Sequence, residues 1–319
     1  MKRRHFVTQG IGTAAALALA GPDQVSSSPQ TVPKTAANIA AKTAPWTADK
    51  KFKLKYAPSI GQFKNHAGDD PINQINFAAD AGFGAMFDNG IMGRPPAVQE
   101  AIAGEIAKRG MTLGPFVLLA DFKNKNFVTR DKDVREMLSE TMKKGVETMK
   151  RTNIPWALVV PGRFDESLAW DYQTANVVEN LRFCMEICEP AGLIIVLEPL
   201  NPRDHPGLFL TKIPQAYAIC RAVKSPSCKI LNDMYHQQIT EGNLIPNIDA
   251  AWDEIAAYHV GDNPGRREPG TGEINYKNIF RHLQQKGYGG VLCMEHGASK
   301  PGKEGELAVI NAYRAADDF

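Results

Sequence analysis

A closed (β/α)8 barrel, eight parallel strands each followed by a helix, is the architecture expected of this chain, and three observations point to it. Short β-branched or apolar runs alternate eight times with longer amphipathic segments. Several of the runs are apolar without interruption, as parallel strands buried on both faces are. No GxGxxG follows the first run, which disfavours the alternative of an open doubly wound sheet. The 319 residues, 43% hydrophobic and 23% charged, suit one large α/β domain, and neither repeats nor a second core boundary interrupt them.

The strands are expected at 53–59, 85–88, 112–117, 157–161, 193–198, 229–233, 255–260 and 291–295. Between them lie the helical segments. Ile72, Ile75, Phe77 and Ala78 mark segment 72–81, which stops at Gly82. Segment 96–109 opens on Pro96 and stops at Gly110. Val134, Met137, Leu138, Met142 and Val146 share one side of the long segment 133–152. Segment 176–191 ends at Gly192, 213–223 follows Thr211-Lys212, 243–252 is shorter and looser, and 276–286 ends at Gly287. A glycine just past a helix end supplies the left-handed residue that stops it.

The first residues stand outside this pattern. Met1-Lys2-Arg3-Arg4-His5-Phe6-Val7 is a charged start, followed by Ile11-Gly12-Thr13, the apolar run 14–20, and a small-residue exit at Ala18-Leu19-Ala20. This is a signal-peptide layout, and the paired arginines before Phe6 point to the twin-arginine export route and a periplasmic destination. The apolar run is too short for a comfortable membrane span, so no stable insertion is expected after cleavage, an uncleaved anchor being the alternative. The expected division is a signal peptide over 1–20, a leader over 21–51 rich in Ser, Thr, Pro, Ala and Lys, and the barrel over 52–319.

Charge and cysteine content narrow the partners. The net charge of +2 supplies no basic field, so neither nucleic acid nor a membrane surface is an expected partner. Five cysteines, at 184, 188, 220, 228 and 293, cannot all pair within the chain. Cys184 and Cys188 sit one helical turn apart without CxxC spacing, and are read as small buried hydrophobes.

The chemistry is expected where strands end and loops begin. The fifth strand runs into Glu198, the sixth into Asp233, the seventh into His259 and the eighth into Glu295. Singly, each has a duller reading: a strand-end carboxylate can cap the next helix, and a lone histidine is more often structural. Four on successive strands converge on one rim. Three carboxylates brought that close raise one another's pKa unless a divalent cation sits among them. Three oxygen ligands and one imidazole suit Mn²⁺, Mg²⁺ or Co²⁺, and Zn²⁺ is also compatible.

Four segments carry a resemblance. They are Leu197-Glu198-Pro199-Leu200-Asn201, Asp233-Met234-Tyr235-His236-Gln237-Gln238-Ile239, the run from His259 through Asp262-Asn263-Pro264-Gly265 to Arg266, and the run from Glu268 to Tyr276. They resemble the hydroxypyruvate isomerases, within the xylose-isomerase-like TIM-barrel superfamily of sugar isomerases and epimerases. The likeness is densest from Leu193 to Glu295. It implies one divalent metal held by Glu198, Asp233, His259 and Glu295, with Glu198 and Glu295 exchanging protons with the substrate from opposite faces. It implies further that His236, Arg266 and Asp204 hold substrate oxygens. Two loops depart from the family: the second strand ends in Phe87-Asp88-Asn89-Gly90 and the fourth in Val160-Pro161-Gly162-Arg163.

The reaction so implied is a proton shift beside a carbonyl on a small sugar or hydroxy-carbonyl compound, through an enediolate. Proton return to the neighbouring carbon gives isomerisation, and return to the same carbon from the other face gives epimerisation. Two other readings stand beside it. A lyase or dehydratase acting on a keto-sugar or keto-glycoside would use the same metal site, and an exported sugar-binding barrel would keep its shape without turnover. Among weaker motifs, Gly265, Gly270 and Gly272 lack the P-loop ending and are read as turns of a lid. Lys123, Lys125 and Arg130 are read as a solvated face, and His66 and His296 are left as candidates for the pocket lining.

Overall fold

The structure is a computed structural model that describes residues 51–319. The signal peptide expected over 1–20, and all of the leader but its last residue, lie outside the described residues. Nine strand segments are present: β1 (Lys55–Pro58), β2 (Ala85–Met86), β3 (Thr112–Leu113), β4 (Phe116–Ala120), β5 (Trp156–Val160), β6 (Ile194–Leu197), β7 (Cys228–Asp233), β8 (Ile255–Val260) and β9 (Val291–Met294). Each expected strand is found. The third is split into β3 and β4, so the fifth to eighth expected strands are β6 to β9.

All pairings between these strands are parallel. Seven form one curled sheet in the order β1-β9-β8-β7-β6-β5-β4, and β2 pairs with β3. Short contacts close the ring. Phe87 N–H donates to the Pro58 carbonyl at 3.1 Å and Ile60 N–H to the Phe87 carbonyl at 3.0 Å, joining β1 to the end of β2. Val117 N–H donates to the Asn89 carbonyl at 3.1 Å, joining the end of β2 to β4. The split in the third strand falls at Gly114-Pro115. Pro115 has no N–H for a ladder, and a Cβ on Gly114 would meet Cys293 Sγ and Phe87 Cβ, both at 3.0 Å. The two residues let the strand bend where it passes close to its neighbours.

Alternation along the strands sorts the core into two layers. Ala57, Phe87, Leu158, Val160, Val196, Leu231, Ala257 and Cys293 fill the barrel interior. A larger shell, with Tyr56, Phe116, Val159, Ile195, Ile230, Tyr258 and Leu292 from the strands, packs against the helices. These are α1 (Lys64–Ala67), α2 (Pro71–Asp80), α3 (Pro96–Lys108), α4 (Lys132–Thr152), α5 (Trp170–Ala191), α6 (Ile213–Val223), α7 (Met234–Thr240), α8 (Leu244–Ala250), α9 (Tyr276–Gln285) and α10 (Gly302–Ala316). Cys184 and Cys188 lie in the outer shell as expected, and all five cysteines are buried and free.

The helices differ from expectation at four places, the first being α1, four residues with none buried to mark it in the sequence. The fifth begins at Trp170 rather than Asn176, because its first turn carries exposed residues with no apolar stripe. The seventh was not anticipated, since Asp233 ends a strand and caps a helix with no linker between. The tenth was hidden by Gly302 and Gly305, which are poor helix formers in its first turns. Gly192, at φ 82°, ends α5 in the left-handed conformation that its position requires. No helix among the described residues is long and apolar enough to cross a membrane.

Candidate metal centre

Glu198 follows β6 directly, Asp233 ends β7, His259 is the last residue but one of β8, and Glu295 follows β9. Strand register brings them level: Asp233 pairs with His259, and His259 with Cys293. One ligand atom from each of the four lies within 4.8 Å of the others. Glu198, Asp233 and His259 are buried, and Glu295 is partly open. His259 Nδ1 stands 2.9 Å from Glu198 Oε1 and 2.9 Å from Glu295 Oε2, so the two glutamates converge on one imidazole nitrogen.

Two of the three carboxylates, Asp233 and Glu295, are also held from outside the group. Asp233 divides its oxygens: Oδ1 accepts Tyr235 N–H at 2.8 Å and His236 N–H at 3.2 Å, capping α7, while Oδ2 faces the site. Arg266 Nη2 donates to Asp233 Oδ2 at 2.6 Å and to Glu295 Oε2 at 2.5 Å. Asn89 Nδ2 donates to Glu295 Oε1 at 2.7 Å. Arg266 itself has φ 49°, and its Nε donates to the Glu295 backbone carbonyl at 3.1 Å. Gly261 makes room for it, because a Cβ there would lie 3.1 Å from Arg266 Cγ.

Arg266 projects from a loop organised by one buried carboxylate. Asp262 accepts the N–H groups of Asn263, Gly270, Gly272 and Ile274. The amides of Gly270 and Gly272, which a phosphate loop would turn toward a ligand, are therefore committed to Asp262. The expected reading of this segment as turned loop stands. A Cβ on Gly272 would collide with the Asn263 backbone at 2.3 Å, which fixes glycine there.

The charges are unbalanced. Burial is the largest influence on Glu198 and, with the neighbouring carboxylates, pushes its pKa up to about 7 against the pull of His259. Burial also opposes ionisation of Glu295, but His259 and Arg266 outweigh it and hold that carboxyl well below the usual range. Burial disfavours charge on His259, yet Glu295 and Glu198 overcome it and raise its pKa. With Glu198 ionised, three carboxylates face at most two cations, Arg266 and protonated His259, in a nearly dry site. A hard divalent cation fits this donor set, with Glu198, Asp233, His259 and Glu295 as its holders.

The other expected residues fall in different places. His236 is buried one turn into α7, its Nε2 3.6 Å from Asp233 Oδ2. Asn201 approaches the other side of its ring, with Nδ2 2.6 Å and the backbone N–H 3.3 Å from Nδ1. Both groups are donors, so Nδ1 accepts and the ring proton sits on Nε2, toward the site. Burial pushes its pKa down to about 4, so the ring is a neutral donor at pH 7. Asp204 does not join the four donors: it stands exposed at the rim, accepting from Asn201 Nδ2 at 3.1 Å and Tyr235 OH at 2.9 Å. His66 pairs with Glu306 on α10, and His296 is held by Gly297 and Tyr313. Both are structural. Lys125 pairs with Asp165 and Arg130 with Glu179, as a solvated face would.

Asn89, Asn201, His205 and Tyr235 belong to this neighbourhood and were missed from sequence. Asn89 lies just past β2, as the ligands lie at or just past their strands, and only the absence of charge hid it. His205 lies 5.3 Å from the His236 ring and within the fields of Arg266, Asp204, Asp233 and Glu295. Nothing in its loop announces it.

A family model described as xylose isomerase-like TIM barrel matches residues 75–315. The chain belongs to this family. Hydroxypyruvate isomerase of Escherichia coli is 37% identical over 122 residues, which are 38% of this chain and 47% of that enzyme. The 2-oxo-tetronate isomerase of Cupriavidus necator is 34% identical over 122 residues, with the same coverage of 38% and 47%. The chain thus spans about half the length of the curated relatives it matches. Among solved structures, D-psicose 3-epimerase of Clostridium cellulolyticum H10 superposes with a TM-score of 0.65 at 18% identity, covering 83% of this chain and 98% of that one. At that identity the likeness is one of fold.

Proposed function

We propose that the chain is a metal-dependent isomerase or epimerase of a small sugar or hydroxy-carbonyl compound. The observation that carries the reading is the convergence of Glu198 and Glu295 on one point, each 2.9 Å from His259 Nδ1. Two carboxylates at one centre suit a proton shift between neighbouring carbons, for which one base suffices, and one between two faces of a carbon, for which a group on each face is needed. The relatives named as isomerases of hydroxypyruvate and 2-oxo-tetronate support the same chemistry.

A divalent cation in the site would supply Lewis-acid polarisation of the substrate carbonyl and its neighbouring hydroxyl. The chain's own residues do the rest. One glutamate removes the carbon-bound proton and one returns it. The His236 Nε2–H donates to a substrate oxygen, and Arg266 shares the negative charge that develops on the enediolate. Asn89 keeps Glu295 turned into the site through its hydrogen bond to Oε1. Export by the twin-arginine route belongs to the proposal on the strength of Arg3-Arg4 and the apolar run that follows.

The test is metal content together with turnover on a panel of ketoses, aldoses, hydroxypyruvate and keto-glycosides, with products weighed by mass spectrometry. The proposal expects products of unchanged mass. Loss of water or of a leaving group would assign the same site to a lyase.

A further inference from the structure

Three large apolar side chains stand exposed among the described residues, Phe122 at 43%, Trp170 at 45% and Tyr172 at 68%. All follow β4 or β5, on the rim that carries the candidate metal centre. Trp170 lies flat against Phe209, its ring centroid 5.0 Å away at 21°. Phe122 is different, because its contact leads inward. Its ring stacks on His205 at 5.1 Å and 21°. His205 stands 5.3 Å from the His236 ring. His236 Nε2 is in turn 3.6 Å from Asp233 Oδ2. An unbroken row of three rings therefore runs from solvent to the carboxylates, in ring-to-ring steps of 5.1 and 5.3 Å.

The outer end of the row is held in place. Asp121, next to Phe122, accepts Lys123 N–H at 2.8 Å, Asn124 N–H at 3.0 Å, and the side-chain amides of Asn124 and Asn126. This turn keeps Phe122 facing solvent while its other face rests on His205. An aromatic ring fixed in that way at the mouth of a polar site is a platform for the C–H face of a sugar ring. Length decides which ring. His236 is the ring nearest the carboxylates and His205 the next outward, so a sugar must lengthen to pass from one to the other. Phe122 lies beyond both.

We propose that Phe122 and His205 form a second sugar subsite, and that the substrate carries a further ring in glycosidic linkage to the one that reacts. This rests on the reading of the chain as a sugar isomerase or epimerase. It adds to that reading the size of the substrate.

Two measurements test it. In steady-state kinetics, Phe122→Ala should raise KM for a disaccharide ketose about 3- to 10-fold, the range expected for one aromatic stack. It should leave kcat and KM for one-ring ketoses within about twofold, and Phe122→Trp should restore the disaccharide KM. In calorimetry on the Glu295→Gln chain, cellobiose should bind more tightly than glucose, and Phe122→Ala should remove the difference. If Phe122→Ala weakens one-ring and two-ring sugars equally, or if cellobiose binds no better than glucose, the subsite is refuted. If no sugar is turned over while cellobiose binding still depends on Phe122, the subsite stands and the isomerase reading fails.

Discussion

Carboxylates stand at strand ends on both arcs of this barrel, and the two arcs use them differently. On the arc after β2 and β4, Asp88 and Asp121 serve their own loops. Asp88 accepts Gly90 N–H at 3.1 Å and Arg94 Nε at 2.5 Å, and Asp121 accepts two backbone and two side-chain N–H groups within five residues of itself. On the arc after β6 and β9, Glu198 and Glu295 are met by side chains from other strands: His259 for both, with Arg266 and Asn89 for Glu295. Asp233 does both, one oxygen in each role. Strand-end carboxylates with local partners thus serve their own loops, and those with remote partners make up the candidate metal centre. Coulomb repulsion explains the distinction. Locally satisfied carboxylates stay apart, whereas the convergent ones approach one another, and a cation between them would offset the repulsion.

The largest expected effect on this contrast comes from Glu295→Gln, which should lower kcat by about 10²- to 10⁴-fold, the usual contribution of a general acid or base. Asp121→Ala on the other arc should leave kcat within about twofold. Equal losses in the two variants would erase the distinction between the arcs.

Removal of the cation comes next. Dialysis against a chelator should abolish turnover and lower Tm, and Mn²⁺ at about 100 times its Kd should restore about 2.7 kcal/mol of stability. The same treatment of Glu198→Gln should shift Tm less, because a holder of the cation is already gone.

Asn89→Ala should cost less than loss of Glu295 itself. It removes one hydrogen bond to a charged group, worth about 1.5–3 kcal/mol, and should lower kcat or metal affinity by roughly 10- to 100-fold. Asn89 is the point where the structural arc reaches into the site. An unchanged kcat and metal affinity would confine the functional arc to β6–β9.

The smallest effect is one of pH on Asp121. Its slight burial raises the pKa, but hydrogen bonds from Asn124, Lys123 and Asn126 outweigh this and hold it at about 2, below the ordinary 3.8. A depressed folded pKa means that the contribution is present above pH 4 and lost as pH falls toward 2. Acid titration of stability should therefore show a small decrement in the wild type that Asp121→Ala lacks.

Much of this was legible in the sequence because barrel strands advertise themselves as apolar runs and their ends as abrupt polarity. The four convergent donors follow directly from that change. Asn89 and His205 did not, because a neutral amide and an imidazole in a polar loop look like any surface residue until the fold brings them to Glu295 and Phe122. Asp204 was drawn in by its place in a motif, yet its partners Asn201 and Tyr235 keep it at the rim. The divided third strand was invisible because Gly114 matters only through Cys293 and Phe87, which are distant in sequence.

The most direct test of the central claim is metal content by elemental mass spectrometry on protein purified without chelators, for the wild type and Asp233→Asn. The account predicts close to one divalent ion per chain in the wild type and a large loss in Asp233→Asn, with circular dichroism showing an intact barrel in both. A wild-type protein without bound metal, or an Asp233→Asn chain that keeps its full complement, would contradict it.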